Sequence, residues 1–291
     1  MEKQTISGLR MLQIKNLVKK YTAVIFACVF FLSINIESTN PIHSISIDSD
    51  YTPAQKEIAY GKNGMVTTQH FIATRVGENI LNKGGNAYDA SIAIAFTLAV
   101  VLPRAGNIGG GGFMVIYDKN TQKSYSIDYR EKAPKLSSKD MYLNEDGTFN
   151  NKKLSTFGYL SSGVPGTVAG LWEVHEKFGS LPWETLLEDA IHYAKNGFEI
   201  TDYMADVLYV YNEKLSYFKE TESIFQNHYP DFKNKTLIQN DLANTLKIIS
   251  EKGRDGFYKG EIAEKIASAM KDNGGLISYN EIKPPLSFSY E

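Results

Sequence analysis

The sequence predicts an α/β protein: a mixed first part of helices and a hairpin, then a mostly helical part from about residue 166. Three observations carry this. An alanine-rich run, Ala90–Leu102, is apolar almost all round. Two apolar-bearing segments, Phe113–Tyr117 and Lys123–Tyr129, flank the polar turn Asp118–Gln122. Beyond Gly166, apolar residues recur at helical spacing, punctuated by glycines.

The elements follow in chain order. Residues 1–40 read as an export signal. Lys19 and Lys20 precede an apolar run, Thr22–Ile36, of 15 residues, a length suited to a signal core and short for a bilayer span. A short membrane anchor is the other reading of this run. Lys3, Arg10, Lys15, Lys19 and Lys20 against Glu2 and Glu37 give these residues +3; with −2 overall, the remainder carries −5. No basic field points to nucleic acid. Cys28 is the only cysteine. Its surroundings are a poor lipoprotein site, because the apolar run continues through Val29–Leu32. Removal of the signal would leave no thiol for disulfides, thiolate metal sites or a cysteine nucleophile. The five histidines show no paired-ligand spacing, so no metal site is expected.

Residues 41–60 read as a polar leader, and Met65–Gln69 as a short strand. Ile72–Asn82 has helical spacing and Gly84 is placed to stop it. Asn86 is a plausible N-cap with Asp89 in the first turn. Ala90–Leu102 follows as a helix buried between layers. The hairpin comes next. Gly166–Phe178 and Trp183–Lys195 are amphipathic, the second closed by Gly197. Asp241–Lys252 and Glu261–Lys271 are two more helices, ended by Gly253 and Gly274.

Two features suggest chemistry. Pro103–Met114 holds four consecutive glycines between a buried helix and a strand. Such a run is costly in chain entropy, so it answers a need for positive φ or for close backbone approach. Three readings stand: a phosphate loop, a tight turn into a strand, or a backbone wall beside a site. Nucleotide loops follow a strand and open a helix, the reverse of the order here. The second feature is Arg130, at the end of the second hairpin strand. A guanidinium there can hold a carboxylate bidentately, or simply pair with Asp128 or Glu131 on the surface.

Several blocks together resemble the γ-glutamyltransferases (glutathione hydrolases). They are Met65-Val66, Ala73–Gly77, Leu81–Ala90, Gly106–Met114, Asp128–Pro134 and Ser161–Gly170, with Phe257–Gly260 and Asn273–Leu276 near the end. The resemblance runs from about residue 60 to about 281. It implies an N-terminal-nucleophile hydrolase of αββα sandwich fold, with residues 61–165 in the sandwich and 166–281 as the helical portion of a large subunit. It also implies an exported precursor that cleaves itself into two subunits. A threonine at the new N-terminus of the small subunit is then the nucleophile, with its own amine as base. The implied substrates are glutathione and other γ-glutamyl compounds, with water, amino acids or peptides as acceptors and no cofactor. Periplasmic or secreted location is expected. Only Arg130 carries over as a site residue, as the contact to the α-carboxylate of the γ-glutamyl group.

Residues 282–291 depart from the family, and its catalytic threonine is expected beyond residue 291. No catalytic residue is therefore assigned to this chain, although Thr67-Thr68-Gln69-His70 resembles the start of the small subunit. A non-catalytic remnant and a related acylase are the alternatives. Expressed alone, the chain is expected to be inactive and poorly soluble, because apolar faces would lie uncovered.

Overall fold

The computed structural model describes residues 60–149 and 154–282. The export signal with its anchor alternative, the leader up to Ala59 and the tail after Ile282 lie outside the described residues.

Helix α1 spans Phe71–Asn82 and buries Ile72, Ala73, Val76 and Ile80. Its start is made by polar side chains. His70 is the N-cap, its Nδ1 accepting from the Ile72 N–H. Thr68 Oγ1 donates to the His70 carbonyl at 2.8 Å and lies 2.9 Å from Thr74 Oγ1. The expected strand over Met65–Gln69 does not form. No strand pairs with it among the described residues, and Thr68 and His70 commit their polar groups to the helix start instead. At the other end Gly84 adopts φ +89°, a left-handed turn open to glycine.

Helix α2, Ala87–Val101, begins with a complete capping box: Asn86 accepts from the Asp89 N–H, and Asp89 accepts from the Asn86 N–H. Apolar almost all round, it packs against α1 on one side. On others it meets α3 (Thr167–Phe178) and α4 (Trp183–Asn196). Asp89 is fully buried and also receives the Ser180 N–H at 3.0 Å and the Ser180 hydroxyl at 2.5 Å. One carboxylate thus ties the start of α2 to the loop joining α3 and α4.

Strands β1 (Phe113–Asp118) and β2 (Lys123–Asp128) form the expected antiparallel hairpin, with Phe113 opposite Asp128 and Asp118 opposite Lys123. Ile116 and Ile127 turn into the core, while Phe113, Val115 and Tyr117 project from the other face. A second, short ladder pairs β3 (Phe198–Glu199) with β4 (Thr236–Leu237). Between them lie three short helices, α5 (Asp202–Val210), α6 (Asn212–Leu215) and α7 (Lys219–Phe225).

Helix α8, Asn240–Lys252, packs on α4. Trp183 joins them: its indole N–H donates to the Ile249 carbonyl at 3.0 Å, and its ring stands edge-on to Phe96 and Trp172. α9 (Asp255–Tyr258), α10 (Gly260–Asp272) and α11 (Tyr279–Ile282) complete the described chain. Buried Tyr258 donates its hydroxyl to the Pro165 carbonyl, which anchors α9 beneath the entry to α3. Glu281 accepts from the backbone N–H of Lys135 and from Ser278, so α11 is clasped to the segment after the hairpin. Among the described residues no helix is long and apolar enough to cross a membrane.

Candidate functional site

The hairpin register delivers Arg130 to a defined place. The ladder continues one step past β2, where the Tyr129 N–H donates to the Gly112 carbonyl at 3.0 Å. The next backbone N–H, that of Arg130, donates to Asp128 Oδ1 at 2.9 Å. Asp128 therefore fixes the turn off the strand rather than neutralising the guanidinium.

Among the described residues the guanidinium has two contacts. Its Nε donates to Glu131 Oε2 at 3.2 Å, and its Cζ lies 5.5 Å from the ring centre of Phe113. The side chain is 60% exposed. Among the described residues neither terminal nitrogen has a hydrogen-bond partner, so the edge opposite Nε is open to an acceptor. The surface pairing with Glu131 is real, and it occupies one donor of five. An exposed pair of this kind contributes little to stability.

The glycine run stands directly behind this arginine. None of Gly109–Gly112 has positive φ; close approach to the arginine segment is required at Gly111 and Gly112, while Gly109 has open space around it. A Cβ on Gly111 would stand 2.8 Å from both Arg130 Cα and Glu131 N. A Cβ on Gly112 would stand 2.9 Å from the Tyr129 ring, and one on Gly166 would collide with the Tyr129 carbonyl. Half-buried Tyr129 is thereby wedged between the loop and α3, and burial pushes its phenol up from the usual value.

The loop also closes off the helix behind it. The Gly110 carbonyl accepts from the Gly166 N–H at 2.7 Å and the Thr167 N–H at 3.0 Å. The Gly110 carbonyl thus sits where a phosphate would have to sit, and the Ala169 N–H is taken by the Tyr258 hydroxyl at 3.3 Å, which counts against the phosphate reading. Lys132 and Val164 bridge the same two segments, with the Val164 N–H donating to the Lys132 carbonyl at 2.8 Å. Three blocks distant in sequence, 106–114, 128–134 and 161–170, thus meet around one arginine.

Sequence reasoning singled out Arg130 and the glycine run, and the structure brings them together. It passed over Phe113, whose ring underlies the guanidinium. The available signal was the alternation Phe113, Val115, Tyr117 on one strand face. These three side chains are 61%, 82% and 63% exposed. The threonine pair elsewhere has a different use. Thr68 is committed to capping α1 and Thr67 is an exposed residue within a continuous chain segment.

A profile of the family described as gamma-glutamyltranspeptidase matches residues 73–283. A glutathione hydrolase proenzyme of Pseudomonas sp. (strain A14) is 44% identical over 223 residues, which are 76% of this chain and 38% of that protein. The glutathione hydrolase proenzyme of Escherichia coli (strain K12) gives the same identity and the same shares. The crystal structure of Helicobacter pylori gamma-glutamyltranspeptidase superposes with a TM-score of 0.77 at 39% identity, covering 80% of this chain and 66% of that one. The chain therefore spans a little over a third of the length of these curated relatives.

Proposed function

The chain belongs to the gamma-glutamyltranspeptidase family, and from that premise we propose that it carries the γ-glutamyl-binding platform of a glutathione hydrolase. Its fold is that of an N-terminal-nucleophile hydrolase, the class these relatives share. The observation that carries the functional reading is Arg130: a fixed backbone, one edge held by Glu131, the other edge unpaired.

The donor of such an enzyme presents an α-amino acid head and a γ-amide. The open edge of Arg130 takes the α-carboxylate through charge-assisted hydrogen bonds. Phe113 beneath the guanidinium and the Gly111 backbone behind it restrict where that edge can turn. Fixing the head fixes the γ-carbonyl carbon, the atom to be attacked.

The attacking group is a threonine hydroxyl at a subunit N-terminus, its own amine taking the proton. A γ-glutamyl ester forms and the cysteinylglycine amine leaves. Water or an acceptor amine then breaks the ester. We assign that threonine to no residue of this chain; the capping role of Thr68 supports this. The small subunit of the same precursor would bring the threonine and cover the outer hairpin face. Residues 1–40 would direct export, placing the protein in the periplasm or outside the cell.

Three measurements test the proposal. The DNA after codon 291 should encode a Thr-Thr-His-like block; its absence in every frame would overturn the enzymatic reading. The 291-residue chain alone should not hydrolyse a γ-glutamyl anilide, and turnover lost on Thr67→Ala or Thr68→Ala would overturn the assignment of no nucleophile. In the complete precursor, Arg130→Ala should lower kcat/KM for glutathione about a hundredfold, roughly 3 kcal/mol. An unchanged value would remove Arg130 from the site.

A further inference from the structure

Helix α1 starts at the edge of a second concavity. Its volume is about 870 Å³, and Gln69, His70 and Phe71 form part of its wall. None of the residues around Arg130 lines it. His70 itself is only 8% exposed. The reaction proposed above makes no use of this buried, titratable side chain.

The imidazole closes the helix start with one nitrogen. The Ile72 N–H is the second donor of α1 and has no carbonyl within the helix to bond. His70 Nδ1 accepts from it at 3.3 Å, so this nitrogen carries no proton and Nε2 does. Nε2 is buried and has no partner among the described residues. The ring is packed between Phe71, stacked at 5.0 Å, and Phe198, edge-on at 6.3 Å. Beside it, Thr68 Oγ1 accepts the His70 N–H at 3.1 Å and lies 2.9 Å from Thr74 Oγ1. Packing and one hydrogen bond therefore hold the ring in place.

A second proton would undo that arrangement. It must go to Nδ1, where it would point at the Ile72 N–H and turn the acceptor of the cap into a donor. Both ring N–H groups would then be buried without acceptors, around a buried charge. The surroundings offset little of this. The stacked Phe71 ring attracts a cation only weakly, being 59% exposed. The charged groups on the surrounding elements are Arg75 and Glu78 on α1, Glu199 on β3, Asp202 on α5, Arg104 after α2 and Lys214 on α6, all exposed. The two that share the concavity wall, Arg104 and Lys214, are positive. Burial holds the His70 ring below the usual histidine value, and no carboxylate contributes.

We propose that His70 is a proton-operated latch on the start of α1. Neutral, it closes the first turn. Protonated, its ring leaves the place between Phe71 and Phe198 and turns out to water. The Ile72 N–H is then uncapped, and the stretch of wall from Gln69 to Phe71 loosens. From Ala73 onward α1 stays in place, because Ala73, Val76 and Ile80 are held in the core. Acid thus alters one wall of the concavity before it unfolds the molecule.

Backbone hydrogen exchange of the ¹⁵N-labelled 291-residue chain, followed with the His70 ring signals between about pH 8 and about pH 5, tests the latch. As His70 takes up its proton, protection of the Ile72 N–H, corrected for the intrinsic pH dependence of exchange, should fall about tenfold or more. Protection of Leu187 in α4 and Leu246 in α8 should hold. His70→Asn keeps a cap acceptor but has no proton to gain in this range, so its Ile72 N–H should stay protected throughout. His70→Ala, without an acceptor, should leave that N–H unprotected at every pH. A His70 ring that does not titrate, an Ile72 N–H that stays protected while the ring titrates, an equal loss in His70→Asn, or loss at Leu187 together with Ile72 would each overturn the proposal. All but the third are read from the unsubstituted chain, so they stand even where a variant fails to fold.

Discussion

The hairpin and the helices behind it treat apolar side chains in opposite ways. Around α2, α4 and α8, large residues such as Phe96, Leu186, Leu187 and Ile249 are wholly buried, and Trp183 is almost so. On β1, every second side chain is large, apolar and exposed. These three helices find their partners within the described chain. The hairpin satisfies its inner face and leaves its outer one bare. Contiguous apolar surface of that kind marks a place of contact. Arg130, the one substrate contact proposed for this chain, stands at the end of that strand pair.

This contrast can be broken by mutation. Trp183→Ala should cost the most, about 3–5 kcal/mol, because it opens a cavity between α2, α4 and α8 and orphans the Ile249 carbonyl. A urea midpoint unchanged from the parent would show that the helical layer is looser than described. Asp89→Ala should follow at about 3 kcal/mol, since it strips the acceptor from Asn86, Ser180 and Leu181 backbone N–H groups together. The same denaturation curve reads it.

Acid should act next, and in two windows. Burial lowers the pKa of His70 from 6.5, so the unfolded chain binds that proton more readily than the folded one. Stability should therefore decline as pH falls below about 6.5, and His70→Gln should flatten that stretch of the curve. Glu281 behaves as a lowered carboxylate. Burial alone would raise it, but the N–H groups of Lys135 and Ser278 and the Ser278 hydroxyl outweigh that. Its contribution is present above its ordinary value of 4.5 and disappears as pH falls through its folded pKa. A pH titration of the melting temperature separates the two, and a Glu281→Gln curve that still falls steeply below pH 4.5 would count against the clasp.

The smallest effect belongs to the hairpin. Val115→Thr, on an 82% exposed position, should change stability by no more than about 0.5 kcal/mol while raising the soluble yield. A large destabilisation would mean that the outer face is already packed.

Much of this architecture could be read from local pattern. The α1, α2, α3, α4, α8 and α10 helices lie within a residue or two of expectation, except that α2 opens three residues before the apolar run, at Ala87. Asn86 and Asp89 announced their cap, and Gly84, Gly197, Gly253 and Gly274 all take positive φ after the helices they end. What stayed hidden depends on distant partners. Phe198 becomes a strand only because Leu237 pairs with it. The short helices α5–α7 lack a long enough period to stand out. Glu281 looks like an ordinary surface acid until Lys135 is beside it. Met65–Gln69 erred the other way, since a short extended segment makes no strand without a neighbour to pair with. Arg130 was ambiguous as chemistry; only the resemblance favoured a substrate role, and the geometry added the open edge.

The tetraglycine segment bears on the order of assembly. Glycines lose more freedom on folding than other residues, and this run is held by groups far along the chain, at Tyr129, Arg130 and Gly166. Neither anchor exists until the hairpin and the entry to α3 have formed. If the seat behind Arg130 orders only after the hairpin and the entry to α3, substitutions there should speed unfolding while leaving the refolding rate nearly untouched, which stopped-flow unfolding and refolding of a Gly111→Ala variant would measure.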